Sequence, residues 1–210
     1  MARVTSRPFQ ISLIASMLAL TAILELINRS LPLRVPWGMS IDFVAVPVML
    51  VFFILGMRYA LVTSVGMLGI LMIIGFGGFV GAVMKFGSTV AMLLVLGALL
   101  ATPLGNKNNK ASTYKNPLKY GIASALALSA RVVVAAFLNY YWALPLFFAM
   151  PVEQIIQTLF FGSILGFVVY VAVLNITQGI IDLAISWIVA FGLGLSTRFG
   201  PINQQVAPKV

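Results

Sequence analysis

Any chemistry in this chain must come from a few polar residues set in long apolar runs. Glu25, Asp42, Lys85, Arg131 and Asp182 fall inside or at the ends of hydrophobic segments, and three amides, Asn139, Asn175 and Gln178, accompany them. An ionisable side chain at membrane depth is expensive, so each such residue marks a functional hypothesis. The sequence has no His and no Cys. Disulfides, thiolate chemistry, imidazole metal sites and His-based acid–base catalysis are therefore excluded. The four carboxylates are scattered, with no paired-acid spacing that would suit a metal or a general acid and base. No G-x-x-x-x-G-K-[ST] phosphate cradle is present. What remains suits recognition rather than catalysis: amides donate and accept together, and charged groups fix a ligand's orientation.

The elements that position these residues follow from composition. The 210 residues are 61% hydrophobic and 8% charged, with mean hydropathy +1.10. A soluble domain is about 45–50% apolar and about 25% charged, and a chain of this size could not hide so much apolar surface in water. The sequence reads as an all-α integral membrane protein, a single transmembrane domain over residues 1–210. Thirteen Lys and Arg against four Asp and Glu give a formal charge of +9. The basic residues are spread over short loops with no dense patch. They suit topology and contact with anionic lipid headgroups better than nucleic acid.

A crossing helix needs about 20 apolar residues. The candidates are 9–27, 41–56, 60–74, 79–102 and 120–138. Gly75, Gly77 and Gly78 interrupt the pattern after the third, and a Lys-bearing loop follows the fourth. Residues 155–174 and 176–195 are both apolar enough to span, which would make seven crossings. Basic loop residues favour the cytoplasm. Arg3 and Arg7, then Arg58, then Lys107, Lys110, Lys115 and Lys119 recur on one side, and Arg198 and Lys209 join them if a single span follows the fifth. We read six helices in a small bundle, with both termini cytoplasmic. Residues 140–173 are then a long outer connection that partly dips into the membrane, as non-helical backbone can where protein buries it. Arg29 and Arg34 fall outside, against the trend.

On this topology the polar set gathers in the outer half. Counting from Asn139, Arg131 lies about 12 Å deep; counting from Asn175, Asp182 lies about 10 Å deep, at 1.5 Å per residue. The two are expected to form an ion pair, since either charge alone in hydrocarbon is costly. Lys85 sits about 9 Å below the start of its span. The set describes an outward-facing pocket with no polar path through the protein. Interhelical glue is the alternative use of the same groups. The run Asn139-Tyr140-Tyr141-Trp142 suits either an interfacial aromatic belt or a stacking wall for a flat ligand. Gly166, Gly179, Gly192 and Gly194 are read as close-packing positions rather than hinges.

Several segments, in order, carry a resemblance. They are Ala15-x-x-x-Ala19, Ile41-Asp42-Phe43-Val44-Ala45-Val46-Pro47, Gly81-Ala82-Val83-Met84-Lys85-Phe86, Arg131 with Asn139-Tyr140-Tyr141-Trp142-Ala143-Leu144-Pro145-Leu146, and Leu174-Asn175-Ile176-Thr177-Gln178-Gly179. Across residues 10–195 the series resembles the substrate-binding S-components of energy-coupling factor (ECF) transporters, most closely the riboflavin-binding branch. The resemblance implies a six-helix bundle that binds a vitamin near its outer face in the plasma membrane. It implies docking on a transmembrane coupling subunit that bears two ATPase subunits. Riboflavin is then the transported ligand, and no cofactor or metal is needed. The implied ligand contacts are Asn139 and Asn175, with Gln178 where that branch carries Lys. Lys85, Asp42, Tyr140 and Trp142 complete the expected binding set, and Ala15 and Ala19 match the small-residue docking motif of the first helix. Small residues four apart let another helix approach closely. The segment after Asp42-Phe43 also departs from the branch, with Val44-Ala45 in place of Ser-Asp.

Three other classes compete. A secondary transporter or channel calls for repeats or polar groups through the inner half, and none is evident. A membrane enzyme lacks the residues named above. An S-component for another vitamin, or a structural six-helix protein of the rod-shape-determining type, shares the bundle, but the structural protein has no use for an outer cluster of amides and aromatics.

Overall fold

The computed structural model describes residues 6–30, 39–105 and 111–196. Arg3, Arg34, Lys107, Lys110, Arg198 and Lys209 lie outside the described residues. The chain folds as α1 (Arg7–Ser30), α2 (Val46–Leu55), α3 (Met57–Ile74), α4 (Gly78–Leu100), a 3-10 turn (Ala111–Lys115), α5 (Pro117–Phe148), α6 (Val152–Leu159) and α7 (Ile164–Gly192). The described residues contain no β-strand. Five of these helices, α1, α3, α4, α5 and α7, are long and apolar enough to cross a membrane, and α2 is a shorter apolar helix.

Helix α2 forms the centre. Its ten residues are apolar on every side, and Val46 to Ile54 are all buried. A helix without a polar face belongs inside a bundle. It packs against α1, α3 and α7. At 1.5 Å per residue α2 is only about 15 Å long. The chain at 39–45, expected to begin the second span, instead runs as non-helical backbone. Such backbone at depth must be buried in protein or line a cavity, and this segment does the latter.

The C-terminal half departs furthest from expectation. The fifth helix does not stop at residue 138. It continues to Phe148 through a π-helical turn at Asn139–Ala143, where Leu144 N–H donates to Asn139 C=O. Pro145 follows at once, and its missing N–H and bulky ring cannot fit a regular turn, so the wider spacing accommodates it. The last helix starts at Ile164, not 176, with Ser163 Oγ capping Gly166 N–H. The long outer connection over 140–173 is therefore wrong. Only residues 149–163 link the two helices, and they carry the amphipathic helix α6. Its Val152, Ile155 and Ile156 pack on Leu144, Phe160, Phe167 and Val171, and on Ala135. Hydropathy alone ended both helices at polar residues, yet Asn175 is buried and accepts from Arg131 of α5, and half-buried Asn139 donates to Ala135 C=O within its own helix.

At the far end Asn116 accepts from Leu118 and Lys119 N–H to start α5, with Pro117 at the first position. The core there is aromatic. Phe52, Phe53, Tyr114, Tyr120, Trp187 and Phe191 meet ring to ring. Buried hydroxyls find partners: Tyr114 donates to Leu96 C=O and Tyr120 to Leu183 C=O. Burial pushes the Tyr114 phenol up to about 12.

Candidate functional site

The cavity opens at the end of the bundle where α1, α3 and α5 finish and α2 and α4 begin. It has a volume of about 120 Å³, roughly ten times what one water needs on the same scale of about 10–15 Å³. Its lining joins Glu25 and Asn28 of α1 with Ser40, Asp42 and Val44 of the strap that precedes α2. Phe76 and Gly77 of the α3–α4 turn, Lys85 and Ser88 of α4, Arg131, Asn139 and Phe147 of α5, and Asn175 and Gln178 of α7 complete it. Lining residues on α4 end at Ser88. Beyond it Met92, Leu93 and Leu96 are fully buried, so the packed aromatic half of the core lies beneath the cavity.

A chain of polar contacts runs around the wall. Phe76 N–H donates to Glu25 Oε1 at 3.0 Å, and Asn28 Nδ2 donates to Glu25 Oε2 at 3.1 Å and to Ser40 Oγ at 3.2 Å. Ser40 Oγ donates to Asp42 Oδ2 at 3.0 Å. Asp42 Oδ1 receives Lys85 Nζ at 2.5 Å and Val44 N–H at 2.9 Å. Gln178 then grips the strap by its backbone: its Oε1 accepts Asp42 N–H at 2.8 Å and its Nε2 donates to Asp42 C=O at 2.7 Å. The same Nε2 donates to Asp182 Oδ1 at 2.9 Å.

Arg131 and Asp182 meet as an ion pair, Nη1 to Oδ2 at 3.0 Å, with side chains 2% and 0% exposed. Arg131 Nε also donates to Asn175 Oδ1 at 3.3 Å, and Nη1 lies 3.8 Å from Met92 Sδ. Nη2 has no partner among the described residues, although Arg131 lines the cavity. The expected depths of the two charges shift, because both helices are longer than expected. Arg131 lies 17 residues before Phe148 and Asp182 lies 18 after Ile164. The two extensions are nearly equal and opposite in direction, so the residues still face each other. Gly179 permits this closeness: a Cβ there would lie 2.4 Å from Leu128 Cδ2 and 3.2 Å from Arg131 Cδ.

The other expected residues divide. Lys85, Asp42, Asn139, Asn175 and Gln178 line the cavity. Asn139 Nδ2 donates to Ala135 C=O and its Oδ1 accepts no hydrogen bond among the described residues. Tyr140 and Trp142 are outside the lining. Tyr140 stacks edge-on with Tyr141 and packs near Phe167, and Trp142 packs edge-on against Phe79. The helix brings Asn139, Ala143, Leu144 and Phe147 to one face and turns the intervening aromatics away. Phe76 and Phe147 supply the aromatic wall instead. Sequence reasoning missed both, and it also omitted Asn28, Ser40 and Ser88; the Gly75–Gly78 interruption was the one signal available. Gly75 is required there, since a Cβ would lie 2.2 Å from Leu71 C=O oxygen. Ala15 and Ala19 are exposed on the outer face of α1.

No family model matches the sequence, and no curated protein matches it. The fold is similar to a solved structure described as the S component of a bacterial ECF transporter. That similarity has a TM-score of 0.66 at 18% sequence identity and covers 92% of this chain and 99% of the other. Over nearly its whole length, then, this apolar helical chain has the fold of an ECF-transporter S component, with a polar cavity at one end of the bundle.

Proposed function

We propose that this chain is the substrate-binding subunit of an ECF-type importer and that its cavity binds a vitamin, riboflavin or a related flavin. The observation that carries this reading is a polar-walled cavity, floored by packed core, at one end of an S-component fold. Such a site can hold a ligand but offers it no polar path across the bundle. Six membrane crossings, with α2 and its strap together making the second, fit that fold. Arg7, Arg58, Lys115 and Lys119 belong to the end opposite the cavity, so the basic-loop rule puts that end and both termini in the cytoplasm and opens the cavity outward. The chain carries no phosphate-binding motif, so ATP hydrolysis falls to two ATPase subunits acting through a membrane coupling subunit. The exposed Ala15 and Ala19 form the docking stripe for that subunit.

A flavin's pyrimidine edge alternates donors and acceptors, which suits the amides of Asn139 and Asn175, and Phe76 and Phe147 supply apolar area for the ring. Gln178 departs from the riboflavin branch, and its amide is committed to Asp42 and Asp182. Lys85 and Arg131 take the place of that branch's Lys as cationic donors. The test is the absorption spectrum of the purified protein, followed by titration with riboflavin. A flavin band, and tight binding lost in Asn139→Ala/Asn175→Ala, is the expected result. Tight binding of a different vitamin, with none of riboflavin, would remove the flavin and keep the subunit assignment.

A further inference from the structure

Glu25 has no role in the binding set expected from the sequence, yet it lines the cavity and is only 4% exposed. Each of its carboxylate oxygens accepts from an N–H donor, Oε1 from Phe76 and Oε2 from Asn28. Both oxygens are therefore engaged as hydrogen-bond acceptors. No cation pairs with it among the described residues. The two cations of the cavity, Lys85 and Arg131, are each matched to an aspartate, Asp42 and Asp182. Arg29, four residues along α1, is exposed and makes no ion pair among the described residues. Among the described residues of the cavity and its ion pairs, three carboxylates face two cations, and the surplus negative charge rests on Glu25.

A buried carboxylate without a counter-charge is costly at membrane depth, and it is offset when a ligand brings an N–H donor or a positive charge. A second anion in the same cavity adds repulsion in a medium of low effective dielectric. Elsewhere in the lining, Arg131 Nη2, which has no partner among the described residues, offers donors to a carbonyl.

We propose that Glu25 is a substrate-binding residue whose surplus charge makes the cavity select uncharged or cationic substrates bearing N–H groups, and exclude anionic ones. The inference rests on the substrate-binding reading above and specifies the charge class that the site accepts. For a flavin it means that riboflavin binds and its phosphate ester is rejected.

The test is calorimetric titration of the purified full chain with riboflavin, flavin mononucleotide, thiamine and biotin, covering neutral, dianionic, cationic and monoanionic ligands. Riboflavin should bind at least tenfold more tightly than flavin mononucleotide, and biotin should not compete with the best ligand. In Glu25→Gln, which keeps the shape and one acceptor, the preference for riboflavin over its phosphate should shrink by about tenfold. If that variant does not fold, the wild-type order across the four ligands still decides the matter. Flavin mononucleotide binding as tightly as riboflavin, or biotin binding best, overturns the charge inference and leaves the vitamin-binding subunit standing. Thiamine binding best, with no flavin bound, supports the inference and overturns the flavin. Binding of none of the four overturns both.

Discussion

The buried pair of Arg131 and Asp182 gives the sharpest energetic prediction. Both side chains are essentially inaccessible, and Asp182 has two partners, Arg131 Nη1 and Gln178 Nε2. Replacing Asp182 with Leu leaves the guanidinium with only Asn175 and a distant Met92 sulfur. Removing one member of a buried pair costs about 3–5 kcal/mol, because a charge is left without compensation. Arg131→Met should cost about the same by stranding Asp182. The double variant Arg131→Met/Asp182→Leu removes both charges. It retains only the loss of single hydrogen bonds to Asn175 and Gln178, about 1 kcal/mol each. Its expected destabilisation is therefore about 2 kcal/mol, against about 6–10 kcal/mol if the single costs simply added. The assay is reversible unfolding in mixed detergent micelles, with helicity as the readout and the four proteins forming a double-mutant cycle. Costs that add within about 0.5 kcal/mol, or single variants as stable as wild type, would refute the reasoning.

Three further outcomes are expected. Gln178→Leu frees both backbone groups of Asp42, so hydrogen exchange at residues 39–45 should accelerate at least tenfold while the ends of α5 and α7 keep their protection; unchanged exchange in the strap would count against the clamp. Ala15→Leu/Ala19→Leu places bulk on the exposed face of α1, and should leave ligand titration unchanged while ATP-driven uptake in the assembled transporter falls severalfold; equal loss in both assays would point to misfolding rather than docking. Tyr114 is buried, and its phenol titrates near 12 rather than 10. Its folded pKa is raised, so its contribution is complete below pH 10 and is lost as pH rises toward 12. Across that window the wild type should lose on the order of 2 kcal/mol more stability than Tyr114→Phe, measured by thermal unfolding at stepped pH.

The sequence by itself determined the solvent. A chain 61% hydrophobic and 8% charged has no soluble solution, and long apolar runs in lipid become helices because every backbone group must be satisfied within the chain. It also located the costly groups, since charges at membrane depth are few and each must have a partner. Helix ends and facing sides were another matter. Hydropathy reads an amide as a helix terminus, and so it cut α5 at Asn139 and began α7 at 176. Both helices in fact run on through these amides, Asn175 buried and Asn139 half-buried at the cavity. The π-helical turn before Pro145 decided that Phe147, not Tyr140 or Trp142, meets the cavity. The bond that ties Gln178 to the backbone of Asp42 spans 136 residues of sequence, and no local periodicity encodes it. Which charges cancel, and which one is left over at Glu25, is a property of neighbours brought together by packing. Only the tertiary structure could decide it.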